Sequence, residues 1–168
     1  DEVNAGAAAL IALALEKGAK LSTAESCTGG LIAGSLTAVP GSSSVVEGGV
    51  VSYSNEVKHH LLNVSASDLE HYGAVSEPVA IQMAQGSRSA LSTTVAVAVT
   101  GVAGPGGVSP EQPVGTVWFG VDSSRGIRAV LLHSAGNSAS ARHQTVAPAL
   151  NHFHHYLYTL SSIHSVAN

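Results

Sequence analysis

The chain has 168 residues, 45% of them hydrophobic and 11% charged, which suits one domain with its own core and excludes a disordered chain. A net charge of −4 argues against a protein that grips nucleic acid by neutralising phosphates, and a single cysteine excludes an intrachain disulfide. No apolar run reaches the roughly 18 residues that a membrane helix requires.

Residues 3–17 are rich in Ala and Leu and free of Pro, so they read as a packed helix that Gly18 ends, and not as a leader peptide. Residues 20–24 form a short strand. Residues 29–37 return to helix, and Val39-Pro40-Gly41 stops it. Ser42-Ser43-Ser44 opens a turn. Residues 48–54 are β-branched and strand-like, and Asn55 then caps a helix over 56–62. A short helix follows at 67–71. Ser76-Glu77-Pro78 starts the next helix, which runs to Leu91. The apolar run 94–99 has the character of a central strand covered on both faces. Residues 100–107 form a glycine-rich loop, 114–121 and 127–133 pair as a hairpin, and 139–160 close the chain as a helix kinked at Pro148. Alternating helices and strands followed by a hairpin predict a single α/β domain over 1–168. The expected architecture is a three-layer sandwich, a mixed β-sheet with helices on both faces.

Three polar segments fall at strand exits, where α/β proteins place their ligands. In Thr23-Ala24-Glu25-Ser26-Cys27-Thr28-Gly29-Gly30, backbone N–H groups at a helix start, small side chains and the hydroxyls of Ser26 and Thr28 suit an anion. The competing reading is an ordinary helix cap. In Ser52-Tyr53-Ser54-Asn55-Glu56-Val57-Lys58, a cap at Asn55 puts Lys58 at the third helical position. The helix dipole and burial there lower a lysine pKa, and a neutral lysine can serve a serine as general base. The competing reading is a surface lysine. The third segment, Thr100-Gly101 and the loop after it, offers a hydroxyl and backbone donors, or is simply a flexible strand exit.

Candidate nucleophiles are the serines of Gly41-Ser42-Ser43-Ser44 and, ranked below serine, Cys27 at a helix start. The nine histidines do not make a metal site. His59 and His60 are adjacent and cannot share a helix face, and the i,i+3 pair His152 and His155 has no Glu or Cys to complete a set.

The motifs Ala24-Glu25-Ser26-Cys27-Thr28-Gly29-Gly30, Pro40-Gly41-Ser42-Ser43, Tyr53-Ser54-Asn55-Glu56-Val57-Lys58, Gly73-Ala74-Val75-Ser76-Glu77-Pro78-Val79, Thr100-Gly101-Val102-Ala103-Gly104-Pro105 and Pro113-Val114-Gly115-Thr116-Val117-Trp118 occur in this order over residues 5–160. Together they resemble the CinA C-terminal domain family. The resemblance implies an α/β sandwich that hydrolyses the carboxamide of nicotinamide mononucleotide, giving nicotinic acid mononucleotide and ammonia in pyridine-nucleotide salvage. Carried onto this chain, it implies Ser43 as nucleophile with Lys58 as base and Tyr53 positioning the proton, Ser26 being the rival nucleophile. It also implies substrate contacts from Ser26, Thr28, Gly29, Gly30, Thr100 and Gly101, with Arg142 on the phosphate. No metal or other cofactor is expected, nor a nucleic-acid or membrane partner. The low charge and single cysteine fit a homo-oligomer in a reducing cytoplasm. A non-catalytic nucleotide-binding module linked to competence or DNA damage is the alternative. It needs the phosphate corner but neither Ser43 nor Lys58.

Overall fold

The computed structural model describes residues 1–102, 115–133 and 138–160, the side chains of 138–142 excepted. Most of the 100–107 loop therefore lies outside the described residues. Helix α1 (Glu2–Lys17) starts on an Asp1 cap, whose carboxylate accepts the Asn4 N–H at 2.8 Å, and ends at Gly18 with φ 67°. After it come β1 (Leu21–Glu25), α2 (Leu31–Thr37), a 3-10 turn at Ser42–Ser44 and β2 (Val46–Val51). Helices α3 (Asn55–Leu62), α4 (Ala66–Tyr72) and α5 (Glu77–Leu91) then precede β3 (Val95–Gly101), the hairpin β4 (Thr116–Ser123) and β5 (Gly126–His133), and α6 (Ser138–Tyr158). None of the described helices is long and apolar enough to cross a membrane.

The five strands form one mixed sheet in the order β2-β1-β3-β4-β5, with β1 parallel to both its neighbours and β4 and β5 antiparallel. Strand alternation divides the core into two layers. Val95, Val97 and Val99 of β3 face one way and join Leu10, Ile32, Leu150 and Phe153 under α1, α2 and α6. Ala24 and Ala98 face the other way, against Val79, Met83 and Ala84 of α5 and Leu62 of α3. Small residues let α5 lie against backbone on both sides: a Cβ on Gly120 of β4 would come 2.4 Å from the Ala80 carbonyl oxygen, and one on Gly86 would come 2.0 Å from that of Leu62. The three-layer sandwich expected from the element order is thus the observed fold.

Several boundaries move. Strand β2 starts and ends earlier than the β-branched run suggested, because Ser52, Tyr53 and Ser54 leave the strand to enter α3. Ser54, not Asn55, caps α3, accepting the Val57 N–H at 3.2 Å, so Lys58 stands one position deeper in the helix than expected. Gly29 and Gly30 lie outside α2, with φ of 61° and 101°, a left-handed turn that favours glycine. Helix α6 continues through Pro148.

The parallel register aligns Val51, Glu25 and Val99 across the sheet. Ladder bonds continue one residue further, Ser52 N–H to Glu25 O at 2.7 Å and Ser26 N–H to Val99 O at 3.0 Å. Ser52 and Ser26, each one residue past its strand, therefore stand in one row with Thr100 near the end of β3, and the alternation turns them to the face that α3–α5 cover. Strand order reverses around β1, since β2 lies on one side of it and β3 on the other. Such a switch point opens a crevice at the carboxyl ends of the strands.

Candidate active site

The row of hydroxyls meets one ammonium. Lys58 rises from the first turns of α3 and is only 1% exposed. Its Nζ donates to the carbonyl oxygens of Ser52 at 2.7 Å and Tyr53 at 3.1 Å, and lies 3.1 Å from Ser26 Oγ. Burial pushes its pKa down from 10.5 to about 8, against the opposing charge interaction with Cys27. A neutral amine has two N–H bonds and one lone pair. The two carbonyls can only accept, so they hold both N–H bonds and leave the lone pair for the Ser26 hydroxyl. This arrangement can take a proton from Ser26.

Ser43 has no such partner, and the expected Ser43–Lys58 pair is not formed. The 3-10 turn that carries Ser43 precedes β2, and its exit is tied to the beginning of β1 by the bond from Leu21 N–H to Val45 O at 2.7 Å. Lys20 Nζ also binds the Ser44 carbonyl there, at 2.7 Å. Ser26 lies beyond the other end of β1, roughly 15–20 Å away at the rise of an extended strand. Ser42, next to Ser43, spends its hydroxyl on the Thr37 carbonyl at 3.2 Å.

The corner at Ser26–Gly30 is built differently from the anion cradle expected there. Buried Glu25 folds back onto α2. Its Oε1 accepts the Thr28 hydroxyl at 2.7 Å and the Ile32 N–H at 2.8 Å, and its Oε2 accepts the Ala33 N–H at 2.9 Å. The start of α2 is thus filled by the chain's own carboxylate, and the Thr28 hydroxyl, fully buried, is committed to it. Glu25 was missed because the backbone donors it accepts from lie seven and eight residues ahead. The available signal was a lone charge at a strand end, in a stretch from Leu21 to Leu36 that holds no other.

Tyr53 contributes its carbonyl oxygen; the residue is 73% exposed. Thr100 completes the row of hydroxyls and donates to the Ala74 carbonyl at 2.9 Å, which ties the β3 exit to the entry of α5. A Cβ on Gly101 would come 2.8 Å from Val117 Cγ2 and 3.0 Å from Cys27 Sγ, so the glycine lets β3, β4 and the Ser26 turn close on one another. Gly29 is exposed at the rim. Arg142 belongs to α6, which starts soon after β5 ends at His133, opposite Thr116 and so at the same edge of the sheet as the site. Its side chain lies outside the described residues. Among the described residues no group of three His, Cys, Asp or Glu is placed to hold a metal ion. His59 is engaged instead with the Val64 carbonyl, Nδ1 to O at 2.8 Å.

Comparison with known proteins agrees with this geometry at the level of family. The CinA C-terminal domain family matches residues 4–157. A CinA-like protein of Gemmatimonas aurantiaca is 49% identical over 131 residues, 78% of this chain but 31% of its own length, so the chain spans about a third of that relative. A protein of Enterobacter agglomerans named nicotinamide-nucleotide amidohydrolase PncC is 58% identical over 104 residues, 62% of this chain and 63% of its own. The fold is similar to the crystal structure of competence/damage inducible protein CihA from Agrobacterium tumefaciens. That match has a TM-score of 0.90 at 40% identity and covers 95% of this chain and 97% of the other. The chain belongs to the CinA C-terminal domain family.

Proposed function

We propose that this CinA-family chain hydrolyses the carboxamide of nicotinamide mononucleotide, with Ser26 as nucleophile and Lys58 as its general base. The observation that carries the reading is the buried Lys58 Nζ, held by two carbonyls and facing Ser26 Oγ at 3.1 Å. The substrate comes from the resemblance to the relative named for that activity.

In this reading neutral Lys58 removes the Ser26 proton as Oγ attacks the carboxamide carbon. Negative charge develops on the carbonyl oxygen, next to the backbone of the glycine turn at Gly29 and Gly30. The C–N bond then breaks, the Lys58 ammonium returns its proton to the departing nitrogen, and ammonia leaves. Lys58, neutral again, takes a proton from water. The hydroxide attacks the acyl-enzyme, the Lys58 ammonium returns its proton to Ser26 Oγ as the ester C–O bond breaks, and the acid formed loses its own proton to solvent and departs as the carboxylate. Arg142 is assigned to the substrate phosphate. Remote binding of that group would orient the amide without taking part in the chemistry.

The test is ammonia release from nicotinamide mononucleotide by the wild type, Ser26→Ala and Ser43→Ala, with and without EDTA. Ser26→Ala should lose several orders of magnitude in kcat, as nucleophile deletions do. Ser43→Ala should stay within about threefold of wild type, as expected for an exposed serine remote from the dyad. EDTA should change nothing. Activity retained in Ser26→Ala but lost in Ser43→Ala would return the nucleophile to the 3-10 turn. Tight binding of the nucleotide without turnover by the wild type would favour a binding module.

A further inference from the structure

Two buried side-chain oxygens have no hydrogen-bond partner among the described residues, Thr23 Oγ1 and Ser52 Oγ. An orphaned buried hydroxyl is costly to a fold and asks for an explanation. The two lie on opposite faces of the sheet, because alternation turns Thr23 of β1 toward α2 and Ser52 toward α3. Ser52 is 0% exposed and stands beside Ser26 in the row of hydroxyls. Its backbone is pinned on both sides. The N–H bonds Glu25 O at 2.7 Å, and the carbonyl holds Lys58 Nζ at 2.7 Å. What remains free is rotation about χ1, which swings the hydroxyl among staggered positions roughly 3–4 Å from that same carbonyl.

A lysine ammonium has three N–H bonds. Ser52 O, Tyr53 O and Ser26 Oγ supply three acceptors while Ser26 is free. Once Ser26 Oγ is bonded to the substrate, the third is gone and the buried ammonium is left one partner short. We propose that the Ser52 hydroxyl is a positioning group for Lys58. It accepts the third ammonium N–H while Ser26 Oγ is bonded to the substrate carbon in the tetrahedral intermediate, and yields it as the leaving nitrogen takes the proton. The inference rests on Ser26 and Lys58 being the reacting pair. It gives a role to a buried hydroxyl that has no hydrogen-bond partner among the described residues.

Ser26→Ala removes the third acceptor permanently and so imitates that state. The experiment follows the Lys58 titration by NMR of isotope-labelled lysine in the wild type, Ser26→Ala, Ser52→Ala and the double variant, with Thr23→Val as the control orphan. Cys27, the titratable neighbour of Lys58, is common to all of them, and Glu25 is tied to α2 on the other face. Ser52→Ala alone should leave Lys58 almost unmoved. In the double variant its pKa should fall to about one pH unit below that of Ser26→Ala, the loss of one hydrogen bond to the charged form. With Ser26 intact, Ser52→Ala should cut kcat about tenfold at unchanged KM and melt no lower than wild type, since it deletes an unpaired group. Ser52→Thr, which keeps the hydroxyl, should recover most of that loss, and Thr23→Val should change neither readout. Equal Lys58 titration in Ser26→Ala and the double variant would overturn the proposal, as would wild-type kcat in Ser52→Ala. The titration needs no turnover, so a wild type that releases no ammonia would sink the amidase reading and still leave this result to be read.

Discussion

Raising the pH from 6 to 9 should raise the turnover of nicotinamide mononucleotide along a single ascending limb set by Lys58. Burial holds that lysine at a pKa of about 8, well below its ordinary 10.5. With such a value about 1% of the residue is neutral at pH 6, about 10% at pH 7 and about 90% at pH 9. Only the neutral form can accept the Ser26 proton, so kcat should climb about tenfold from pH 7 to its plateau. The substrate phosphate titrates near pH 6, roughly, so the fit belongs above that range. Initial rates of ammonia release in overlapping buffers measure the limb. A flat profile between pH 7 and 9, or a limb centred near the ordinary lysine value, would refute the assignment of Lys58 as a desolvated base.

The same lowered pKa makes a statement about stability. The unfolded chain keeps the lysine proton up to its ordinary pKa of 10.5, whereas the folded chain releases it at about 8. Between those values the unfolded state binds more protons, so folding stability rises with pH across that window. Below it the buried ammonium costs the fold about 3 kcal/mol, because each tenfold loss of proton affinity is worth about 1.4 kcal/mol. Lys58→Met removes the titrating group. In urea melts the wild type should therefore gain about 3 kcal/mol relative to the variant as the pH rises from neutral toward 10.5. A difference that stays constant with pH would mean that Lys58 carries no desolvation cost.

Two further substitutions probe what holds the site. Glu25→Ala strands the Thr28 hydroxyl and the Ile32 and Ala33 N–H groups together. It should cost about 3–5 kcal/mol, a fall in Tm of roughly 10 °C by calorimetry, and a fall of less than about 2 °C would show that water replaces the carboxylate freely. Arg142→Ala should raise KM about tenfold or more and leave kcat within about threefold, because a grip on a remote phosphate serves ground state and transition state alike. An unchanged KM would remove Arg142 from the site.

Much of this arrangement was legible in the chain. The β-branched run ending at Val99 marked the central strand, and the polar segments after Glu25, Val51 and Val99 marked the strand ends where the candidate site lies. Lys58 stood out because a lysine early in a helix that follows a strand is drawn toward the strand exits, where burial neutralises it. Which serine it serves was not legible. Ser43 is closer to Lys58 in sequence than Ser26 is, and it sits in a richer run of hydroxyls. The choice is made by strand direction. A parallel β1 and β2 send the residue after β1 and the residue before α3 to one end of the sheet, and leave the turn before β2 at the other. Glu25 escaped notice for a related reason, since its partners on α2 become neighbours only after the glycine turn reverses the chain. That carboxylate also narrows where a substrate anion can bind. With the first N–H groups of α2 already paired to a buried negative charge, a phosphate gains little there, and the cation assigned to it has to come from elsewhere along the same edge. In the reading proposed above, that cation is Arg142 of α6.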